Sequence, residues 1–297
     1  MGYLFLALAL CAGLVKAYCG KQSSFAVKSS TDAISITTVR MLMCSVIGLF
    51  LAVAANGDPF SVSSGVILIS LASGFMSACF TVSWLLAVST SMYMMVEVFV
   101  AGGIIIPVII SNIFYGEAIG ALDAIGILLL LIGIYFISVC DKDKAKKWSF
   151  KGVLLLVLCM ISSGCVDVLQ KIYIKQFPGE NTLVFNFYVY VFAAALLILV
   201  NLAVHIGTRK NFIQSVKVVK PVWLYVVIMA VCLFLNSYFK TSAAEYLDAV
   251  LLYPVNQGLA MVLSSFMAVL LFKERINFKA AIGIALALVA VILINIS

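Results

Sequence analysis

Long apolar runs, each about the length needed to cross a bilayer, follow one another along this chain with little between them. Ten can be drawn, over residues 2–20, 33–55, 65–87, 91–114, 119–139, 150–174, 183–205, 223–241, 249–271 and 278–296. Turn-forming strings separate several of them: Asn56-Gly57-Asp58-Pro59, Pro178-Gly179 and Lys220-Pro221. Such a chain cannot cover itself with polar surface. Hydrophobic residues make up 65% of it and charged residues 10%, against about 25% charged in a soluble domain. A cytosolic enzyme, a secreted domain and a disordered chain are excluded together. In hydrocarbon every backbone N–H and C=O must be bonded within the chain, which leaves helices or a closed barrel. The runs are continuous and lack the two-residue alternation of barrel strands. The expected class is an all-α membrane protein with ten transmembrane helices. The first run has no basic residue before Lys16 and is expected to be a retained span, not a cleaved leader.

The formal net charge is +7, from 19 basic and 12 acidic side chains. The basic residues cluster in loops beside apolar segments, with no basic helix interleaved with aromatics, so no nucleic-acid partner is expected. Fourteen of them fall in one set of loops: Lys21, Lys28, Lys142, Lys144, Lys146, Lys147, Lys151, Arg209, Lys210, Lys217, Lys220, Lys273, Arg275 and Lys279. The opposite set holds only Lys171, Lys175 and Lys240. The positive-inside rule places the fourteen in the cytoplasm and both termini outside. The eight cysteines lie in or beside apolar segments and form no C-x-x-C pair, so they read as packing residues. His205 is the single histidine and has no partners at metal-binding spacing. Neither a metal nor a cofactor is expected.

The longest polar insert, residues 141–149, lies near the middle of the chain. The two halves share features at a single offset of 157 residues. Ala124-Ile125-Gly126-Ile127 recurs as Ala281-Ile282-Gly283-Ile284, and Glu117 falls on Glu274. Leu129, Leu131 and Ile137 fall on Leu286, Leu288 and Ile294. An internal duplication follows, with one five-helix repeat over 1–140, a peripheral linker over 141–149 and a second repeat over 150–297. An odd number of spans per half requires the second copy to insert upside down. Inverted repeats are a transporter architecture, with the binding site near the midplane.

These residues carry a family resemblance. Phe272-Lys273-Glu274-Arg275 followed by Gly283 and an apolar tail, and Tyr115-Gly116-Glu117 followed by Gly126 and an apolar tail, resemble the repeat ends of the drug/metabolite transporter superfamily, in its ten-span EamA-type branch. Lys21, Arg40 and Lys171 also resemble positions the family favours. The first-half copy departs from the pattern at Ala118, where a basic residue is common. The resemblance implies that spans one to four and six to nine surround a central cavity and that spans five and ten pack outside. It also implies cytoplasmic termini, opposite to the lysine count.

Charges inside spans are the functional candidates, because one at the bilayer centre costs about 3 kcal/mol on the insertion scale. Lys16, Arg40, Glu97 and Asp167 lie well inside. Helical spacing puts Ser163, Asp167 and Gln170 on one stripe, and Gly13, Lys16 and Gly20 on another. Further faces carry Tyr93 with Glu97; Ser70, Gly74, Ser77, Thr81 and Trp84; Asn236 with Lys240; and Tyr253 with Asn256 or Gln257, where Pro254 is expected to disturb the helix. The static alternative is an ion pair of Lys16 with Asp167 or Glu97. Arg40 has a long stem that can snorkel and is assigned a structural role. Glu117 and Glu274 are expected to cap or pair locally. The substrate-binding set is Lys16, Trp84, Tyr93, Glu97, Asp167, Gln170, Asn236, Tyr253, Asn256 and Gln257. Glu97 and Asp167 are the candidates for proton coupling, and Trp84, Tyr93 and Tyr253 for an aromatic wall that holds an amine. If Lys16 reaches the cavity, a zwitterion or an anion becomes the alternative.

The expected function is secondary active or exchange transport of a small polar or amphipathic metabolite, such as an amine or amino acid, by alternating access. The Gly-rich nucleotide loop that would supply ATP is absent from the sequence. A channel-like permease is the alternative, and a membrane-embedded lipid-modifying enzyme a weaker one. The expected partners are a small-molecule substrate, membrane lipids and a coupling proton, for a monomer or homodimer in a bacterial plasma membrane.

Overall fold

A computed structural model describes residues 1–55, 58–90, 93–139, 150–208, 219–273 and 278–296. The 141–149 linker, Cys140, Trp148, Glu274 and Arg275 lie outside the described residues, as does the side chain of His205. Among the described residues the regular structure is helical and no strand occurs. In chain order the helices are α1 (Gly2–Ser24), α2 (Ser30–Ala54), α3 (Ser64–Thr90), α4 (Tyr93–Gly102), α5 (Ile105–Tyr115) and α6 (Ala121–Val139). They continue with α7 (Phe150–Gln176), α8 (Thr182–Thr208), α9 (Trp223–Tyr246), α10 (Ala249–Leu270) and α11 (Phe278–Ile296). Seven of them, α1 to α3 and α7 to α10, are long and apolar enough to cross a membrane. Three further apolar helical stretches, Phe99–Tyr115, Ala121–Gly133 and Ala281–Ile294, are shorter.

The helices overrun several of the apolar segments, because backbone bonding does not stop at the hydrocarbon edge. Lys171, Lys175 and Lys240, expected in loops, therefore lie within α7 and α9. The connections α2–α3, α5–α6, α7–α8 and α9–α10 then hold no lysine or arginine. The start of α2 follows capping chemistry. Ser29 Oγ accepts from the Asp32 N–H at 3.3 Å, and the Asp32 carboxylate accepts from the Lys28 N–H at 3.1 Å.

The segment expected as one span over 91–114 is broken into α4 and α5. At the break the Gly103 N–H bonds to the Val100 carbonyl at 3.0 Å and the Ile104 N–H to the Ala101 carbonyl at 3.2 Å, a tighter i to i−3 pattern. Pro107 has no N–H to offer the Gly103 carbonyl. Backbone contact fixes the break in place. A Cβ on Gly103 would sit 2.6 Å from the Met160 carbonyl, and one on Gly164 2.5 Å from the Gly103 carbonyl. Helix α7 thus lies directly on the interruption. Pro254 behaves differently from the expectation: α10 runs through it as one helix. The missing N–H costs one bond, which a buried helix tolerates.

Packing runs largely between the two halves of the chain. Helix α1 lies along α9, α3 along α7 and α8, α2 along α8 and α9, and α6 along α11. Helices α4 and α10 meet each other, α4 also touches α7 and α6, and α10 touches α1 and α11. The side-chain distribution is inverted relative to a water-soluble bundle. Phe50, Leu68, Phe75, Leu128 and Leu199 are exposed, while Ser70, Thr81, Arg40, Asp167 and Lys171 are buried.

Two helix ends turn through the left-handed region. Gly116 after α5 has φ 66°, and Lys273 after α10 has φ 54°. The two positions stand at the 157-residue offset. Glycine adopts this conformation freely, whereas a lysine there is strained. Lys273→Gly is expected to stabilise the protein by about 1 kcal/mol and Gly116→Ala to destabilise it by a similar amount, measured by thermal unfolding in detergent.

Candidate functional site

A cavity of about 100 Å³ lies inside the bundle. Its wall comes from Leu10, Gly13, Leu14, Lys16 and Ala17 on α1, Arg40 on α2, and Phe80, Thr81 and Trp84 on α3. Tyr93, Glu97 and Val100 on α4 and Ser163 on α7 add to it. Met229, Leu233, Asn236 and Lys240 on α9, and Asn256, Gln257, Ala260 and Ser264 on α10, complete it. None of the lining residues belongs to α6 or α11.

Local bonding orients the polar wall. Lys16 Nζ donates to Asn236 Oδ1 at 3.3 Å, and Asn236 Nδ2 donates to the Ala9 carbonyl at 2.7 Å. Gly13 makes room for that amide, since a Cβ there would stand 3.1 Å from Asn236 Nδ2. Trp84 Nε1 donates to Glu97 Oε1 at 2.9 Å. The Trp84 and Tyr93 rings meet edge to face at 6.5 Å, and Tyr93 meets Phe272 the same way at 5.5 Å.

Of the ten residues expected to bind substrate, seven line the cavity: Lys16, Trp84, Tyr93, Glu97, Asn236, Asn256 and Gln257. The other three stand behind the wall. Asp167 forms an ion pair with Lys240. Tyr253 donates its hydroxyl to the Asp167 carbonyl at 2.8 Å, so it is spent on α7 and takes no part in the aromatic wall. Gln170 Nε2 donates to Ser237 Oγ at 3.1 Å, and Ser237 donates on to Asn186 Oδ1 at 2.7 Å. The static pairing of Lys16 with Asp167 does not form, because Lys240 occupies that carboxylate.

Arg40 is the residue that sequence reasoning set aside. It is 0% exposed and lines the cavity. Its Nη1 donates to the Met229 sulfur at 3.1 Å, a weak acceptor. Its Nε and Nη2 have no partner among the described residues. The sequence places Arg40 about 10 Å from the start of the 33–55 run at 1.5 Å per residue, where a long stem can snorkel; only the packing of the helices buries it. Among the described residues, groups of three or more His, Cys, Asp or Glu that could hold a metal ion do not occur.

A second ionic cluster closes one end of the bundle. The left-handed turn at Gly116 delivers Glu117 into the interior. There its Oε2 accepts from the Ala249 N–H at the start of α10, at 2.6 Å. Its Oε1 pairs with Lys171 Nζ at 2.9 Å and Lys175 Nζ at 3.4 Å. Lys171 Nζ also donates to the Leu247 carbonyl at 3.0 Å. The carboxylate expected to act locally thus ties the α5–α6 turn to α7, α9 and α10. Burial pushes the Glu117 carboxyl up, but the Lys171 hydrogen bond, the Ala249 N–H and the two ammonium charges outweigh it and hold the carboxyl below its ordinary value.

A lowered folded value means that this contribution to stability is complete above the ordinary glutamate pKa of about 4.3. It is lost as pH falls through the folded value. Glu117→Gln is expected to destabilise the protein by about 3 kcal/mol at pH 7, since it strands the buried Lys171. It should also remove part of the acid sensitivity. Thermal unfolding of both proteins across the acid range measures this.

Comparison with known proteins places this geometry. Residues 150–296 match the model of the EamA-like transporter family. No curated protein matches the chain significantly. A crystal structure of a protein at 16% identity covers 97% of this chain and 96% of its own, with a TM-score of 0.69, which shows a shared fold. Through the match of its second half, and with seven helices of bilayer length, the chain belongs to the EamA-like transporters of the drug/metabolite transporter superfamily and is a multi-pass integral membrane protein.

Proposed function

We propose that this protein is a secondary carrier that moves a small polar or amphipathic metabolite by alternating access, with the central cavity as its binding site. The observation that carries the reading is the wall itself. Ionised groups from both halves of the chain, Lys16, Arg40 and Glu97 from one and Lys240 from the other, line one cavity. A static bundle gains nothing from holding such charges around a void, whereas a transported solute needs them.

The proposed division is two inverted repeats, 1–140 and 150–297, joined by the 141–149 linker. Packing supports it. When α1, α2, α3, the α4–α5 pair and α6 are exchanged with α7, α8, α9, α10 and α11, the α1–α9 pairing becomes α7–α3. In the same way α2–α9 becomes α8–α3, α1–α10 becomes α7–α4, and α10–α11 becomes α4–α6, all of which occur. The matched left-handed turns at 116 and 273 point the same way. Rocking of one repeat against the other about the shared cavity is the mechanism such symmetry favours. The driving energy is a solute gradient or exchange. Glu97 is the cavity carboxylate available for proton exchange, since Asp167 is held by Lys240.

Counterflow tests the carrier reading. Proteoliposomes loaded in turn with an unlabelled amino acid, amine or organic acid receive a trace of the same labelled compound outside. A carrier gives a transient, saturable overshoot of label for one of these classes. Ala260→Trp, which fills the cavity from α10, is expected to abolish it, with thermal unfolding as the check that the variant is folded. Label that only equilibrates, with no overshoot for any class, would overturn the carrier in favour of a channel.

A further inference from the structure

We infer that Arg40 and Lys16 form the seat for the carboxylate of a small, net monoanionic organic acid. The inference deepens the carrier reading by naming its substrate class, and it rests on that reading only for what the bound acid is for.

The first support is the state of Arg40. A guanidinium carries five N–H donors and stays charged. Here it is fully buried, with a thioether as its one hydrogen-bond acceptor and with Nε and Nη2 unmatched among the described residues. Among the described residues no carboxylate oxygen lies within 4.0 Å of Arg40 or Lys16. A buried cation left without a counter-ion is costly, and proteins ordinarily pair it. Two adjacent unmatched donors are the geometry that a carboxylate accepts side by side; both are covered in the empty cavity, so the side chain turns toward the cavity to meet the ligand. The missing acceptor is therefore expected from the ligand.

The second support is charge balance. Counting formal charges, Lys16, Arg40 and Lys240 face the cavity against Glu97. Asp167 matches Lys240, which leaves one positive charge in excess. A ligand of charge −1 cancels it. An amine would meet two cations and a carboxylate already engaged by Trp84. An amino acid, neutral overall, would leave the excess in place. A phosphate monoester carries about −1.5 to −2 near neutral pH and overshoots.

The remaining wall describes the rest of the acid. Asn256 lines the cavity, and its Oδ1 has no partner among the described residues, so a small turn of the amide offers it to a hydroxyl. Leu10, Leu14 and Phe80 receive a short carbon chain. The cavity of about 100 Å³ is on the scale of a short acid, somewhat below the roughly 150 Å³ that takes a benzene ring.

Shape-matched probes separate charge from size. Binding of 2-hydroxyisovalerate and lactate to the purified full chain is compared with that of valine, alanine and isobutylamine, by calorimetry and by thermal shift. The hydroxy acids are expected to bind at least tenfold tighter than the amino acids of the same shape, and isobutylamine not measurably. Arg40→Gln should weaken hydroxy-acid binding at least tenfold. It should also raise the melting temperature of the ligand-free protein, because it removes an uncompensated buried cation; a merely structural arginine would lower it. Arg40→Lys should give intermediate affinity, and Lys16→Met supplies the affinity test should Arg40→Gln fail to fold. Tighter binding of the amino acids or the amine, no binding of any hydroxy acid, or full affinity in both Arg40→Gln and Lys16→Met overturns the inference. Counterflow with the same compounds keeps the two readings apart. Acid binding without counterflow sinks the carrier and leaves the site, whereas amine counterflow without acid binding sinks the site and leaves the carrier.

Discussion

Ionised side chains in hydrocarbon must find a partner or a wet space, because water is absent and each one costs several kcal/mol. Among the described residues, Lys16, Arg40, Glu97, Asp167 and Lys240 stand at or directly behind the cavity wall. Their placement organises everything around them. Helices α1 to α4, α7, α9 and α10 turn polar faces inward to meet the charges. The apolar faces, with Phe50, Leu68 and Leu199 among them, are left for lipid. Helices α6 and α11 add no lining residue and pack on each other.

The two ionic arrangements in the protein have different characters. Glu117 is satisfied from several directions, by Lys171, Lys175 and the Ala249 N–H. It ties helices of the second half to a turn of the first and stabilises one closed end. The cavity is only partly satisfied. Lys16 has one amide, Glu97 has one indole, and Arg40 has a thioether. A cluster that closes on itself fixes structure, while a cluster with open valences is suited to a ligand. That contrast separates the two sites more clearly than burial does, since both are deeply enclosed.

The interruption between α4 and α5 serves the same end. Gly103 and Gly164 allow the backbones of the first and second halves to touch. The short helix α4 is thereby held against α7 and α10, with Tyr93 and Glu97 facing inward. Pro254, by contrast, lies inside α10, which stays whole.

Much of this was legible in the order of the residues. Continuous apolar runs specify helices in lipid because no other open structure satisfies the backbone there, and nearly every helix begins or ends within a few residues of the expected run. Charges within those runs marked the interior, and helical spacing brought seven of ten expected residues to one cavity. Pairing was not legible. The sequence offered Lys16 as the partner of Asp167 and set Lys240 in a loop, and only the packing of α7 against α9 brought Lys240 to it. Tyr253 shares a helical face with cavity residues yet is drawn to the Asp167 carbonyl. Arg40 reads as a snorkelling residue from its place in the apolar run, and only packing buries it. Local bonding and hydropathy act along the chain and can be read there. Which unlike charges meet, and which is left without a partner, depends on distances between helices, and those exist only after the helices have packed.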